Sequence, residues 1–568
     1  MRGWMKPLRR LLRPSATKHK GPGDYARWRT ELIAARRRHY PPPDPPVSFS
    51  ILTAVHNPPP PFLQALARSL LGQDYPHFEW VIVDNGCNLA TQQQLTRLTL
   101  DPRVVLVSGH GNRGIVGGLR LALRTARMQY VLPVDHDDEL TPDALRVVAA
   151  SLAASGWPKV AYTDEDKLLP DGRVALPYFK PDWDPLLFLN CCFTAHLGVM
   201  DRQAALAAGV YTDDQALGSP DWDAFSRLIA AGHLPQHIPE VVYSWRMHAA
   251  STALGGAAAK PYTVAGQFHV LTQHLARTGL GRHLAIRANP LFGDVGLWRA
   301  APAGRRRRRR DELIVLERAV DEESFRLAVE YLPPGAMVVL KAQDVTPLTQ
   351  DWYEEPLALL EAFPEAVAVG GCLVDRKDRL LSGPGFFGMD GLAGWPGRGS
   401  AVGAPIGAGI LLHQHTASLV DDRFFLVRGQ FLKELVAEAG SDLAMSLLGA
   451  WVGATARQQG RRVLFTPHWV AQASQSRGPR PSADQTWRFL RHHWPLLLAD
   501  PTYSRFCSLS SASAYEIASP AERAHVLNRV LSQLAGLLPY FEVLRVDERE
   551  YAPPTWPAAV GEEHRDVA

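Results

Sequence analysis

Several short stretches of this 568-residue chain hold side chains that could do chemistry together. Asp135-His136-Asp137-Asp138 places three carboxylates within four residues. Such groups repel one another and are costly to hold together unless a cation sits among them. Hard oxygen ligands in so small a number suit Mg²⁺ or Mn²⁺ when a substrate diphosphate completes the coordination shell. Three more stretches, Thr53 to Asn57, Asp84-Asn85 and Asn112 to Gly114, each follow an apolar run. The Gly-rich segment GHGNRGIVGG (Gly109–Gly118) opens a helical pattern, so backbone N–H groups and a helix N-terminus could face a phosphate. It has neither the GxGxxG of a dinucleotide site nor the GxxxxGK[ST] of a P-loop, which argues against nicotinamide chemistry and ATP hydrolysis.

The elements that must position these residues alternate in type. Candidate strands are Ser48–Val55, Phe78–Asn85, Arg103–Gly109, Tyr130–Asp137 and Lys159–Asp164. Between them lie helical patterns, such as Phe62, Leu63, Leu66, Leu70 and Leu71 on one face and the stretch from Gly114 to Arg127. Strands apolar nearly throughout, separated by helices, predict an α/β fold, a doubly wound and mostly parallel sheet covered on both faces. Ligands bind such sheets beyond the carboxyl ends of the strands, where the residues above fall.

Charge is unevenly spread. Residues 1–40 carry a net +10 and Arg305 to Arg310 another +6, so the overall +4 leaves −12 for the remainder. An acidic body argues against a nucleic-acid partner, because such domains carry basic charge across a folded face. The Arg run, without interleaved aromatics, reads as a solvated linker. Cys87, Cys191, Cys192, Cys372 and Cys507 have neither disulfide-framework nor zinc spacing. No stretch has the apolar length of a membrane span, and no signal-peptide core precedes the body. The expectation is a cytoplasmic protein that touches the inner face of the cell membrane only peripherally. Residues 1–13 set Trp4, Met5, Leu8, Leu11 and Leu12 against Lys6, Arg9, Arg10 and Arg13, which suits an interfacial helix on an anionic membrane surface. A solvated basic tail is the competing reading.

The run ILTAVHNPPPPFLQALARSLLGQDYPHFEWVIVDNG, then GNRGIVGGL, then VDHDDELTPDAL resembles the nucleotide-binding half of family 2 glycosyltransferases of the GT-A fold. Downstream, YTDEDK, FKPDWDP, GSPDWDAFSRL and HIPEVVYSWRMHAAST are similar, in order and spacing, to the acceptor half of bacterial cell-surface polysaccharide members. The likeness runs from about Val47 to Ala253 and continues more faintly beyond. It implies a metal-dependent inverting transferase that moves a sugar from a nucleoside diphosphate donor to a lipid-linked glycan or polysaccharide acceptor of O-antigen or capsule type. Position by position, it implies that Asp84 pairs with the nucleobase, Asp135 touches ribose and Asp137 holds the diphosphate-bound metal, with Asp138 a second candidate for that ligand. Thr53, Asn57, Asn112, Arg113, Gly114 and Arg246 join the nucleotide-sugar site, and His248 is a metal or phosphate contact. Asp221 matches the catalytic base, with Asp223 second. Pro220 departs from the Glu or Gln that often precedes that aspartate. An acceptor-facing role for Glu165 or Asp166 is weighed against a plain acidic hairpin. A thymidine diphosphate rhamnose donor and uridine diphosphate sugars both remain open.

The second half repeats the first in damaged form. VVLKAQD (Val338–Asp344) aligns with VLPVDHD (Val131–Asp137), which turns Asp135 into Ala342 and Asp138 into Val345 and keeps only Asp137, as Asp344. Aligning the two following helices places Gly449 opposite Asp221 and Trp451 opposite Asp223. The expected organisation is a basic arm (1–46), a GT-A domain (47–255), a helical segment with the Arg-rich linker (256–312), a truncated, degenerate GT-A-like domain (313–478) and a C-terminal helical extension (479–568). The degenerate copy is expected to scaffold, to form a homo-oligomer or to grip polysaccharide. A wholly non-catalytic scaffold or glycan-binding protein is the alternative, and the intact motifs of the first copy speak against it.

Overall fold

The computed structural model describes residues 22–528, apart from 249–261, 292–296, 305–312, 318–320, 350, 405, 408, 475–479, 499, 501, 519–521, 524 and 527. The amphipathic segment 1–13 and the Arg run therefore lie outside the described residues. Helix α1 (Pro22–His39) comes first, followed by β1 (Phe49–Val55), α2 (Pro60–Leu71), β2 (Phe78–Asp84), α3 (Leu89–Leu98), β3 (Val104–Ser108), α4 (Gly114–Thr125) and β4 (Tyr130–Pro133). The short β5 (Glu139–Leu140), α5 (Ala144–Ala154), β6 (Val160–Leu168), β7 (Val174–Tyr178), β8 (Gly198–Asp201), α6 (Arg202–Ala207), α7 (Pro220–Ala230) and β9 (Gln236–Arg246) complete the first body.

These strands form a nine-stranded sheet in the order β3-β2-β1-β4-β8-β6-β9-β5, with β7 beside β6. The β3-β2-β1-β4 run is parallel, as expected for strands apolar on both faces, and every residue of β1 is buried. Antiparallel β8 separates β4 from β6. The fourth predicted strand stops at Pro133 rather than Asp137, and the acidic run forms a turn between β4 and β5. Helix α4 sits so close to β1 that a Cβ on Gly118 would lie 2.6 Å from the Ala54 Cβ. The glycine thus fixes the height of the Gly-rich turn above the sheet.

The arm expected over 1–46 holds α1, which is built into the body. Buried Arg36 donates from Nε to Glu240 at 2.7 Å, and the Glu240 carboxylate also accepts from Tyr40 and Arg505. Tyr25 and Arg29 reach Asp166 at 2.8 and 2.7 Å. Removing one member of a buried pair strands the other charge, at about 3–5 kcal/mol. Arg36→Ala is therefore expected to lower folding stability by roughly 3 kcal/mol, read as a loss of Tm; an unchanged Tm would show that α1 is dispensable.

After α8 (Tyr262–Thr278) the chain makes an antiparallel hairpin of β10 (Leu284–Ala288) and β11 (Trp298–Pro302), in a region expected to be helix and linker. The second body contains β12 (Leu313–Glu317), α9 (Glu322–Glu330), β13 (Met337–Lys341), β14 (Val345–Pro347), α10 (Glu354–Ala362) and β15 (Ala366–Val374). Short strands β16 (Leu380–Ser382), β17 (Phe386–Phe387), β18 (Ala393–Gly394) and β19 (His415–Ala417) lead to β20 (Phe424–Arg428), α11 (Gly429–Ala439), α12 (Leu448–Gln458), β21 (Arg462–Ala473) and α13 (Ala483–His493).

The second sheet runs β12-β13-β20-β15-β21-β14, the same path as β1-β4-β8-β6-β9-β5. Each successive pair also has the same direction: parallel, antiparallel, antiparallel, parallel, antiparallel. What this second path lacks, among the described residues, is a counterpart of β2 and β3, the edge that carries Asp84. The two bodies share a continuous apolar core including Leu186–Leu189, Leu357–Leu360 and Trp469. Across it, the Thr416 N–H donates to Asp184 and Arg462 donates to the Trp183 carbonyl.

Candidate active site

The site is assembled at the carboxyl ends of β1, β2 and β4. Asp84, the last residue of β2, accepts from the Cys87 N–H at 2.8 Å and from Gln92 Nε2 at 3.0 Å. Asn85 locks the Gly-rich turn from below: its Oδ1 accepts from the Arg113 N–H at 2.9 Å and its Nδ2 donates to the Gly114 carbonyl at 3.0 Å. Asn112 Oδ1 accepts from the Gly114 N–H, and exposed Asn57 accepts from the Asn88 N–H. Asn57, Asp84, Asn112, Arg113 and Gly114 therefore meet on one rim. Thr53 does not join them. It is fully buried within β1, where its hydroxyl accepts from Trp80 Nε1 at 3.0 Å, so it is a packing residue and its expected ligand role is corrected.

In the acidic turn each carboxylate has a different environment. Asp135 is exposed on the rim. Asp137 meets His248, with Oδ2 and Nε2 2.7 Å apart, and His248 packs against the Phe62 ring. Asp138 is fully buried; one oxygen accepts from the Arg246 N–H at 2.7 Å and the other from the Tyr243 hydroxyl. Burial first, and then the charges of Asp137 and Asp135, push Asp138 well above the usual carboxylate range. Arg246 also departs from its expected ligand contact. Its Nε donates to the Asp137 carbonyl at 2.5 Å, a terminal nitrogen reaches Glu139, and the guanidinium lies 4.6 Å over Phe62. It braces the turn that presents Asp137.

Donor atoms of Asp135, Asp138 and His196 lie within 4.8 Å of one another, a spacing that could admit a cation. The electrostatics of His196 oppose this. Burial works against its charge, but the hydrogen bond and charge of Glu165, with Asp138 and Asp221, lift it to about 9. At neutral pH a protonated ring has no lone pair to give. His196 stacks on Tyr243, and Glu165 beneath it also pairs with Lys180 and Lys167. Glu165 is thereby held well below the usual carboxylate range despite its burial. The Asp137 carboxylate and the His248 imidazole converge at 2.7 Å, a second oxygen-and-nitrogen pair that could hold a divalent cation.

Asp221 lies in the first turn of α7, directly after Pro220 at the helix start. Burial and, secondarily, the charge of Asp135 raise its carboxyl to about 6, although His196 and Lys180 pull the other way. Asp223, the alternative base, is enclosed between Arg227 at 2.6 Å and Arg277 of α8 at 3.1 Å. Those two guanidinium groups use both its oxygens, so Asp223 fastens α7 to α8. Glu165 and Asp166 are not a solvated hairpin: both are buried and ion-paired.

Residues 50–157 match the sequence profile described as Glycosyl transferase family 2. This stretch is a family 2 glycosyltransferase domain. The chain is also 33% identical over 257 residues to the uncharacterized protein y4gI of Sinorhizobium fredii, covering 44% of this chain and 28% of that one. It is 25% identical over 402 residues to the O-antigen biosynthesis protein RfbC of Myxococcus xanthus, covering 61% of this chain and 31% of the relative. The matches thus span under a third of these relatives' own length. Among solved structures, Staphylococcus aureus TarS 1–349 aligns with a TM-score of 0.32 at 17% identity, over 40% of this chain and 71% of that one.

The second body shows what the glycosyltransferase domain has and its echo has lost. Tyr130 pairs with Asp201 and Met337 with Arg428, each partner standing just before a helix, which fixes Tyr130 opposite Met337. Counting on from there puts Ala342 at the place of Asp135, Asp344 at that of Asp137 and Val345 at that of Asp138. Helices α7 and α12 both have 11 residues, which sets Gly449 opposite Asp221. A Cβ on Gly449 would lie 2.0 Å from the Val420 carbonyl oxygen, so backbone leaves no room there for a side chain such as that of Asp221.

Sequence reasoning missed His196, Lys180 and Tyr243. Each is a single residue whose partner lies far along the chain, and no local spacing marks it.

Proposed function

We propose that this chain transfers a sugar, with inversion, from a nucleoside diphosphate donor to a hydroxyl of a growing surface glycan. The observation that carries this is a carboxyl raised to about 6, Asp221, that feels the charge of Asp135 in the same acidic turn that presents the Asp137–His248 pair 2.7 Å apart. A carboxylate with a raised pKa is a competent general base near neutral pH. In this reading Asp84 takes the nucleobase, Asp135 the ribose, and the turn Asn112 to Gly114 the phosphates at the start of α4. Asp221 accepts the proton of the acceptor hydroxyl as its oxygen bonds to the anomeric carbon. The bond from that carbon to the nucleoside diphosphate breaks on the opposite face. Asp137 and His248 would hold the divalent metal, which supplies charge neutralisation to the departing diphosphate.

The relative named for O-antigen biosynthesis supports a glycan acceptor. Among the described residues no helix is long and apolar enough to cross a membrane, and we assign any membrane contact to the basic N-terminal segment. A panel of uridine and thymidine diphosphate sugars, incubated with crude bacterial membranes as acceptor and scored for nucleotide release, tests the proposal; no release from any donor would reject it.

The second body, lacking the base and two of the three acidic positions, is assigned a non-catalytic scaffolding role. Asp344→Ala is accordingly expected to leave the transfer rate within about twofold of the parent, since surface substitutions away from a site are nearly neutral. Loss of turnover with an unchanged Tm would overturn that assignment.

A further inference from the structure

Beside the proposed donor site, the outer face of α4 forms one wall of an open groove of about 330 Å³. Arg113, Gly117, Arg120, Leu121, Arg124 and Asp214 line it. Three guanidinium groups thus meet one carboxylate, and a concave site of one predominant sign concentrates ions of the other. The arginines recur at intervals of seven and four, which keeps them on one side of a helix whose other side, Val116, Leu119 and Leu123, is buried against the sheet.

Two details give the groove a built shape. A Cβ on Gly117 would lie 2.8 Å from the Arg113 Cβ. Without it, Arg113 folds back along the helix and its Nε donates to the Gly109 carbonyl. Glycine inside a helix costs about 1 kcal/mol relative to alanine, and here it leaves the groove its floor. Arg120 donates from Nε to the Tyr211 carbonyl at 2.7 Å and pairs with Asp214. That ties α4 to the loop that runs from Tyr211 into Asp221. Arg124 stands exposed one turn beyond, roughly 6 Å along the helix.

We propose that this groove is an oxyanion subsite for the acceptor, holding a phosphate ester or carboxylate of the glycan chain while the reacting hydroxyl lies at Asp221. The inference rests on the reading of Asp221 as the base. Guanidinium forks pair bidentately with either anion. Asp214 and the Tyr211 carbonyl, both held by Arg120, place the groove beside the loop that runs into Asp221, and Arg120 and Arg124 lie further along α4 than the Asn112 to Gly114 turn assigned to the donor.

The test measures binding to the full chain by calorimetry in Mn²⁺ and saturating UDP, with three probes: sodium phosphate, tetragalacturonate and neutral maltotetraose. One or both anions are expected to bind and the neutral tetrasaccharide is not; which anion binds identifies the source. Arg124→Gln is expected to weaken anion binding about tenfold, and Arg120→Lys with Arg124→Gln to abolish it, with UDP affinity and Tm unchanged. No anion binding, equal binding of maltotetraose, displacement by UDP, or full affinity in the double variant would each overturn the subsite. Asp221→Asn is expected to leave anion binding intact, so the base and the groove fail or stand separately. If UDP itself does not bind, the donor reading fails first, and the anion titration without UDP still reads the groove.

Discussion

Asp221→Asn is expected to lower the transfer rate by about 10³-fold, within the range for loss of a general base, while the chain stays folded and binds nucleotide with unchanged affinity. The amide preserves shape but cannot accept the acceptor's proton. The parent enzyme carries a second signature. With a carboxyl near 6, the basic form prevails at neutral pH, and kcat/KM should fall tenfold per pH unit below about 6. The stability linkage has its own sign. A carboxyl raised above its unfolded value contributes stability that is full below the unfolded pKa of about 4 and is lost as pH rises through about 6. The Asn variant escapes that loss, so at pH 7.5 its Tm should equal or exceed the parent's. A variant that is inactive because it unfolds would show the opposite, and full activity would remove Asp221 from the mechanism.

This separation of activity from stability follows from how the site is made. Asp221 sits where burial and the charge of Asp135 raise its cost, and the cationic His196, anchored by Glu165, offsets part of it. Other buried carboxylates have protein partners: Asp138 meets Tyr243 and the Arg246 N–H, Asp223 two arginines, and Asp166 Tyr25 and Arg29.

That division also marks how far the sequence was legible. The parallel strands could be read because β1, β2 and β4 are apolar on both faces, and the acidic turn because its residues are consecutive. Which carboxylate is held by the protein depends on partners 31 to 105 residues away, such as His196 for Glu165 and Tyr243 for Asp138. Local spacing does not carry that information. Helix α1 was read as part of a basic arm because residues 1–40 carry a net +10; it docks through Tyr25, Arg29 and Arg36, whose buried carboxylate partners Asp143, Asp166 and Glu240 all lie more than 100 residues along the chain. Thr53 was misplaced for a related reason. In a strand buried on both faces the residue nearest the rim is the last one, and Thr53 stands two residues short of it, hydrogen-bonded to the Trp80 side chain of β2.

Chelation is expected to abolish transfer, and the reason lies in the Asp137–His248 pair. The Asp137 carboxylate and the His248 ring nitrogen meet at 2.7 Å on the rim, and the turn that presents Asp137 is braced by Arg246 from beneath. Two of the cations nearest the acidic turn are already engaged: Arg246 is committed to the Asp137 carbonyl and Glu139, and His196 pairs with Glu165. EDTA should therefore reduce turnover at least 100-fold, with full recovery on adding Mn²⁺ or Mg²⁺ in excess. His248→Ala keeps Asp137 and should shift the metal concentration for half-maximal activity upward by about 10–100-fold, whereas Asp137→Asn removes the charged ligand and should abolish turnover at any metal concentration. The order of these effects is the discriminating result. Equal activity of the Asp137→Asn variant and the parent in saturating Mn²⁺, or full parental activity in EDTA, would mean that the acidic turn serves the fold alone and that the diphosphate is neutralised elsewhere.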